Sequence, residues 1–280
     1  MTESSGAQQG EQNKGNGNYA SVNGLNMYYE THGEGQDGPP LVLLHGALSA
    51  TGTSFGMLLP GLAKNRRVIS IEQQAHGRTA DIDRPLTIAQ MADDTAALLR
   101  QLDIENADVL GYSMGAGIAM QVAVKHPELV RKLVLVSLSY NVEGFHPGLM
   151  EGMAHLKPED LYGSPFHDEY TRTAPNPGDW ATLVEKVKSM EQELEGWTAE
   201  DIQSIKAPTL IVMGDSDIVR PEHAVELFRL LGGGVAGDMV GLPNSRLAVL
   251  PGTTHMTVVH HAEWLVSMVE DFLGAPAPTA

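Results

Sequence analysis

The chain is predicted to fold in the α/β class, as a mostly parallel central sheet with helices on both faces and a helical insertion over the strand ends. Three observations predict this. Short runs of Val, Ile and Leu recur at 40–46, 66–72, 107–112, 131–137, 208–215 and 245–252, and apolar runs of that length suit strands buried on both faces, as parallel strands are. Helical patterns fill most of the gaps, and strands alternating with helices imply parallel pairing through crossovers. One stretch, from about 140 to 205, keeps the helical period but contains no strand-like run. With 280 residues, 42% of them hydrophobic, the chain can bury one large core.

The elements follow in order. Residues 1–17 are rich in Gly, Gln, Asn and Ser and nearly free of large apolar residues, so they cannot offset the entropy of ordering and are expected to form a disordered tail. "YASVNGLNMYYETHG" places Asn23-Gly24 between two β-rich runs, the signature of a hairpin. Thr87 and Gln90 have the spacing of a capping box ahead of a stripe that includes Met91, Thr95, Leu98 and Leu102. The segment Met114 to Val124 is almost wholly apolar and small, as a helix enclosed at the centre of a sheet should be. Trp180, Leu183, Val184, Val187, Met190 and Leu194 mark a helix of the insertion. Pro221 opens another helix, and Leu265, Met268, Val269 and Phe272 stripe the last. The predicted organisation is a tail (1–17), a core (18–139 and 206–273), a helical lid (140–205) and a frayed end (274–280).

Composition narrows the functional classes. Lys and Arg number 18 against 35 Asp and Glu, a formal charge of -17, which repels phosphate backbones and anionic bilayers. Neither a nucleic-acid nor a membrane partner is expected. Cys is absent, which excludes disulfides and thiolate metal sites. The first residues lack the basic and apolar segments of a signal peptide, and the expected location is the cytoplasm.

The stretch "VLGYSMGAG" (109–117) carries the chemistry. Ser113 lies where the strand 107–112 passes into the helix beginning near Met114, within Gly111-Tyr112-Ser113-Met114-Gly115. Such a tight turn strains its central residue and tolerates only small residues two positions to either side. It lifts the hydroxyl out of the sheet and sets it before free helix N–H groups. A serine hydroxyl needs an adjacent base, and the base needs a carboxylate to fix its tautomer. Asp217 in "MGDSD" and His255 in "LPGTTH" follow two later strands, in the order Ser, Asp, His. "LLHGALS" ends an earlier strand so that the N–H of Ala47, with that of Met114, can face an oxyanion.

Through "HGAL", "GYSMG", "GDSD" and "GTTH" the chain resembles the α/β-hydrolase superfamily from about Tyr19 to Leu273. It looks most like its lidded serine esterases, perhydrolase-like enzymes and carbon–carbon bond hydrolases. The resemblance implies Ser113 as nucleophile, His255 as base, Asp217 as orienting acid, and Ala47 and Met114 as oxyanion donors. The expected reaction is hydrolysis of a carboxylic ester of a small or medium apolar substrate through an acyl-enzyme, with no cofactor and no metal. Carbon–carbon bond hydrolysis, lactone hydrolysis and perhydrolysis are alternatives on the same residues, and a non-catalytic ligand receptor is an alternative of another class. One loop departs from the family pattern: "EQQAHGRT" places Glu72, Gln74 and Ala75 where relatives carry Asp, Arg and Gly. His45 and His76 are read as structural, His260 and His261 as the start of the last helix, and Glu143 as a solvated hinge residue. Asp215 is expected to form a local turn. Met150 and Met153 are expected to wall an adaptable substrate pocket.

Overall fold

The computed structural model describes residues 16–33 and 38–276, and in it the apolar runs form one eight-stranded sheet. The strands are β1 (Asn16–Val22), β2 (Leu25–His32), β3 (Leu41–Leu44), β4 (Val68–Ile71), β5 (Ala107–Tyr112), β6 (Val130–Val136), β7 (Thr209–Ser216) and β8 (Ser245–Thr254). Their order is β1-β2-β4-β3-β5-β6-β7-β8. The hairpin pairs β1 with β2, and β2 joins β4 antiparallel, whereas every pairing from β4 to β8 is parallel. Leu43 stands beside Ser70 on one side and Leu110 on the other, and Val134 lies opposite both Leu110 and Leu210. All parallel strands therefore end at one edge, where the connecting loops gather.

Both faces are covered, which is why β3, β4 and β5 are buried at every position. Val42, Leu44, Val109 and Leu133 pack on one face with helices Ile88–Gln101 and Met114–Lys125. Leu41, Leu43, Leu110 and Val134 pack on the other with Leu62, Leu265 and Phe272. Strand β8 differs from the other apolar runs: it is the sheet edge and half of its residues face solvent. The Thr87 hydroxyl accepts from the Gln90 N–H at 3.1 Å, but the Gln90 side chain donates to Asp94 instead of returning to Thr87, so only half of the expected box forms.

Between β6 and β7 the chain forms helices Leu149–Ala154, Pro165–Thr173, Trp180–Gln192 and Ala199–Ser204 with short 3-10 turns and no strand. Helix Trp180–Gln192 buries Trp180, Leu183, Val184, Val187 and Met190, and the two helices before it pack against it. Two boundaries differ from expectation. Asn16 and Gly17 pair with Thr31 and Glu30 in the sheet, because ladder hydrogen bonds use backbone groups and need no apolar side chain. Gly274 is the last residue of the final helix, Ala262–Gly274. Residues 1–15 and 277–280 of the expected tail and frayed end lie outside the described residues. Among the described residues no helix is long and apolar enough to cross a membrane.

Candidate active site

Ser113 sits between β5 and helix Met114–Lys125 at φ 54° and ψ -119°, a left-handed backbone that costs a side-chain-bearing residue energy. The flanking glycines explain how it is held. A Cβ at Gly111 would lie 2.1 Å from the Gly115 carbonyl oxygen, and one at Gly115 would lie 1.9 Å from that of Leu44, so neither position admits a side chain. The Ser113 N–H donates to Val136 at 2.9 Å, and its carbonyl accepts from Ala116 at 2.8 Å, which ties the turn to both sheet and helix.

The three separated motifs converge here. The Ser113 Oγ lies 2.9 Å from His255 Nε2, and His255 Nδ1 lies 2.8 Å from Asp217 Oδ1. An ionised carboxylate only accepts, so Nδ1–H donates to Asp217 and the Nε2 lone pair is left for the Ser113 O–H. Asp217 is buried and accepts further hydrogen bonds from the Ser137 hydroxyl at 2.6 Å, the Val219 N–H at 3.2 Å and the Gly214 N–H at 3.4 Å. Burial alone would raise its pKa, but the donors, His255 first among them, hold it below the usual carboxylate range. Ser137, at φ 55° just beyond β6, is a contributor the sequence motifs do not mark. The Tyr112 hydroxyl donates to the His255 carbonyl at 2.9 Å and fixes the loop that carries the imidazole.

Asp215 behaves differently from its neighbour. Its carboxylate is exposed and accepts from the Gly252 N–H at 2.9 Å, so it ties β7 to the end of β8 instead of closing a local turn as expected. The reason is register: β7 and β8 run parallel past Gly214, which brings residue 252 within reach. Glu143 is exposed in the 3-10 turn Val142–Gly144.

Ala47 follows β3 in a turn pressed against the elbow: a Cβ on Gly46 would stand 3.5 Å from that of Ser113. The loop 72–79 holds this turn through two buried histidines. His45 donates from Nδ1 to the Gly46 carbonyl at 2.8 Å and accepts the Gln73 N–H on Nε2 at 3.0 Å. His76 donates to the Gln74 carbonyl at 2.8 Å and accepts the Leu48 N–H at 3.1 Å. Burial pushes their pKa values down to about 4 and about 3, so both are neutral and each keeps the tautomer its partners require. Ala75 takes φ 65° in the same loop, a position suited to the glycine that the family pattern carries. Glu72 is buried and accepts from the backbone and side chain of Arg78 at 2.5 and 2.8 Å.

A cavity open to solvent lies before Ser113 and His255. Its apolar wall includes Met114, Leu138, Phe145, Met190, Leu194 and Trp197. Met150 and Met153 do not line it. They are half-buried on helix Leu149–Ala154, which packs on helix Trp180–Gln192, and it is the far end of that second helix that reaches the cavity. The helical stripe ending at Met190 and Leu194 was the better signal. Among the described residues, no group of three or more His, Cys, Asp or Glu side chains is placed to hold a metal ion.

Comparison with known proteins adds the family. The sequence pattern of the alpha/beta hydrolase fold family matches residues 39–262. The chain is an α/β-hydrolase. This α/β-hydrolase is 28% identical over 268 residues to the serine hydrolase BPHL of Mus musculus, across 90% of this chain and 84% of that one. It is 27% identical over 272 residues to the 2-hydroxymuconate semialdehyde hydrolase of Pseudomonas sp. (strain CF600), across 84% of this chain and 87% of that one. The crystal structure of the enol-lactonase from Burkholderia xenovorans LB400 superposes with a TM-score of 0.70 at 21% identity, over 92% of this chain and 100% of that one, a likeness of fold. Ser113, Asp217 and Ala47 all lie within the matched stretch, as does His255.

Proposed function

We propose that this α/β-hydrolase is a serine hydrolase that cleaves carboxylic esters of small or medium apolar substrates through an acyl-enzyme. The observation that carries the reading is the continuous relay from Ser113 Oγ to His255 to Asp217, with spacings of 2.9 and 2.8 Å, at the mouth of a largely apolar cavity. His255 Nε2 takes the Ser113 proton as Oγ bonds to the carbonyl carbon, and the N–H groups of Ala47 and Met114 stabilise the oxyanion. No acceptor within the described residues engages either N–H, which leaves both for the substrate. The imidazolium then protonates the departing alkoxide, and water attacks the acyl-enzyme with His255 again as base, releasing the acid and restoring Ser113. We assign the helical stretch 140–205 as a lid, because its residues Phe145, Met190, Leu194 and Trp197 line the cavity at the strand ends.

The relatives named for semialdehyde and lactone substrates support hydrolysis in general and leave the bond to experiment. A panel of p-nitrophenyl esters of increasing acyl length decides it. Turnover of short and medium chains, lowered by roughly 10³-fold or more in Ser113→Ala, is the expected result. A folded wild type with no turnover on any ester, and with Ser113 left unlabelled by a fluorophosphonate, would favour the receptor reading.

A further inference from the structure

Glu191 stands in the cavity wall beside Ser113 and His255, and nothing in the reaction just described requires it. It occupies the last turn of helix Trp180–Gln192, where the carbonyl end of the helix disfavours negative charge. No described residue hydrogen-bonds or ion-pairs with its carboxylate. Burial raises its pKa, with only the charge of His255 acting against that. A partly buried carboxyl group that lines a cleft, lacks a hydrogen-bond or ion-pair partner and sits at the wrong end of a helix is not explained by folding stability, and it is available to a ligand in that cleft.

The rest of the wall points to the ligand. Trp197 shares the cavity wall, and its indole N–H is already committed to Gln121 Oε1 at 2.7 Å, which fixes the ring in that wall. No Lys or Arg lines the cavity. An adjoining groove shares Ile88, Met190, Leu194 and Trp197 with it and adds Glu193, Glu195 and Asp201, again without Lys or Arg. A carboxylate and an aromatic ring in one cavity wall, next to an acidic groove on a chain of charge -17, are complementary to an organic cation.

We propose that Glu191, with Trp197, makes this cavity select esters that carry an ammonium group and reject esters that carry a carboxylate. Catalysis of such esters rests on the serine-hydrolase reading, but the selection is a property of the cavity and can be read separately. The methyl ester of β-alanine, methyl butanoate and monomethyl succinate end in ammonium, methyl and carboxylate on otherwise matching acyl chains. Acid release at neutral pH should give kcat/KM in that order, with the ammonium ester ahead of the neutral one by about tenfold or more, the size of one charge-assisted hydrogen bond. Glu191→Gln should collapse the ratio towards one, and Glu191→Lys should favour the carboxylate ester. Equal ratios in wild type and Glu191→Gln would overturn the inference while leaving the Ser113 chemistry standing. Should wild type turn over none of the three, calorimetric binding of β-alanine methyl ester to Ser113→Ala decides: binding abolished by adding Glu191→Gln supports the assignment, and no binding to Ser113→Ala refutes it. Fluorophosphonate labelling of Ser113 reports on the nucleophile independently of either result.

Discussion

At the scale of single residues, the two carboxylates of "GDSD" show how environment divides like groups between unlike tasks. Asp217 is buried with four donors around it, one of them the imidazole of His255, whereas Asp215 is exposed and braces the backbone at Gly252. Asp217→Asn would offer His255 Nδ1 an amide in place of an anion and favour the tautomer that points N–H at Ser113. We expect turnover to fall by up to ~10⁴-fold with the melting temperature little changed. Asp215→Asn keeps an oxygen that can accept from Gly252, so its rate should stay within a few-fold of wild type. A normal Asp217→Asn beside an inactive, folded Asp215→Asn would reverse the assignment. The motif spacing singles out Asp217 in the sequence, and Asp217 is the carboxylate that lies 2.8 Å from His255 Nδ1. The Ser137 hydroxyl was not legible in the same way, because a serine at the end of an apolar run has no signature until β6 and β7 are paired.

At the scale of elements, the loop 72–79 and the turn after β3 form one unit joined by His45 and His76. The sequence marked that loop only as a departure from the family pattern. Its use depends on two imidazole acceptors meeting N–H groups 28 positions away, which no local pattern encodes. The arrangement has a consequence for pH. An unfolded chain protonates each histidine as pH falls through about 6.5, while the folded chain keeps His45 neutral to about 4 and His76 to about 3. The unfolded state then binds more protons, so each histidine lowers stability as pH drops through that window, by up to ~1.4 kcal/mol per pH unit. Glu72, whose pKa burial pushes up to about 7, works in the opposite sense between 4.5 and 7 because its protonated form is favoured in the folded chain. The clean quantity is therefore a difference. The stability advantage of wild type over His76→Gln, measured by urea unfolding, should shrink by ~1.4 kcal/mol for each unit of acidification below about 6.5. A gap that stays constant would mean that His76 is not buried as a neutral acceptor.

At the scale of the whole molecule, the alternation of strands and helices made the sheet legible, since apolar runs such as "LVLL" and "LVLV" can be satisfied only between two covering layers. The sequence erred where burial is not the organising force: β1 starts within a polar stretch because it pairs through its backbone, and β8 looks like a core strand yet forms the edge. The cavity was the least legible feature. Met150 and Met153 lie nearer in sequence to β6, but the fold brings residues 190–197 to the strand ends instead, because the insertion doubles back along helix Trp180–Gln192. What the architecture does as a whole is carry three side chains from the ends of β5, β7 and β8 to within hydrogen-bonding distance of one another. The claim that this makes Ser113 a nucleophile is tested most directly by intact-mass measurement after treatment with a fluorophosphonate. One adduct on the wild type, absent from Ser113→Ala and suppressed in His255→Ala, is the predicted result; a folded wild type that stays unlabelled, or a Ser113→Ala variant that labels equally, would contradict it.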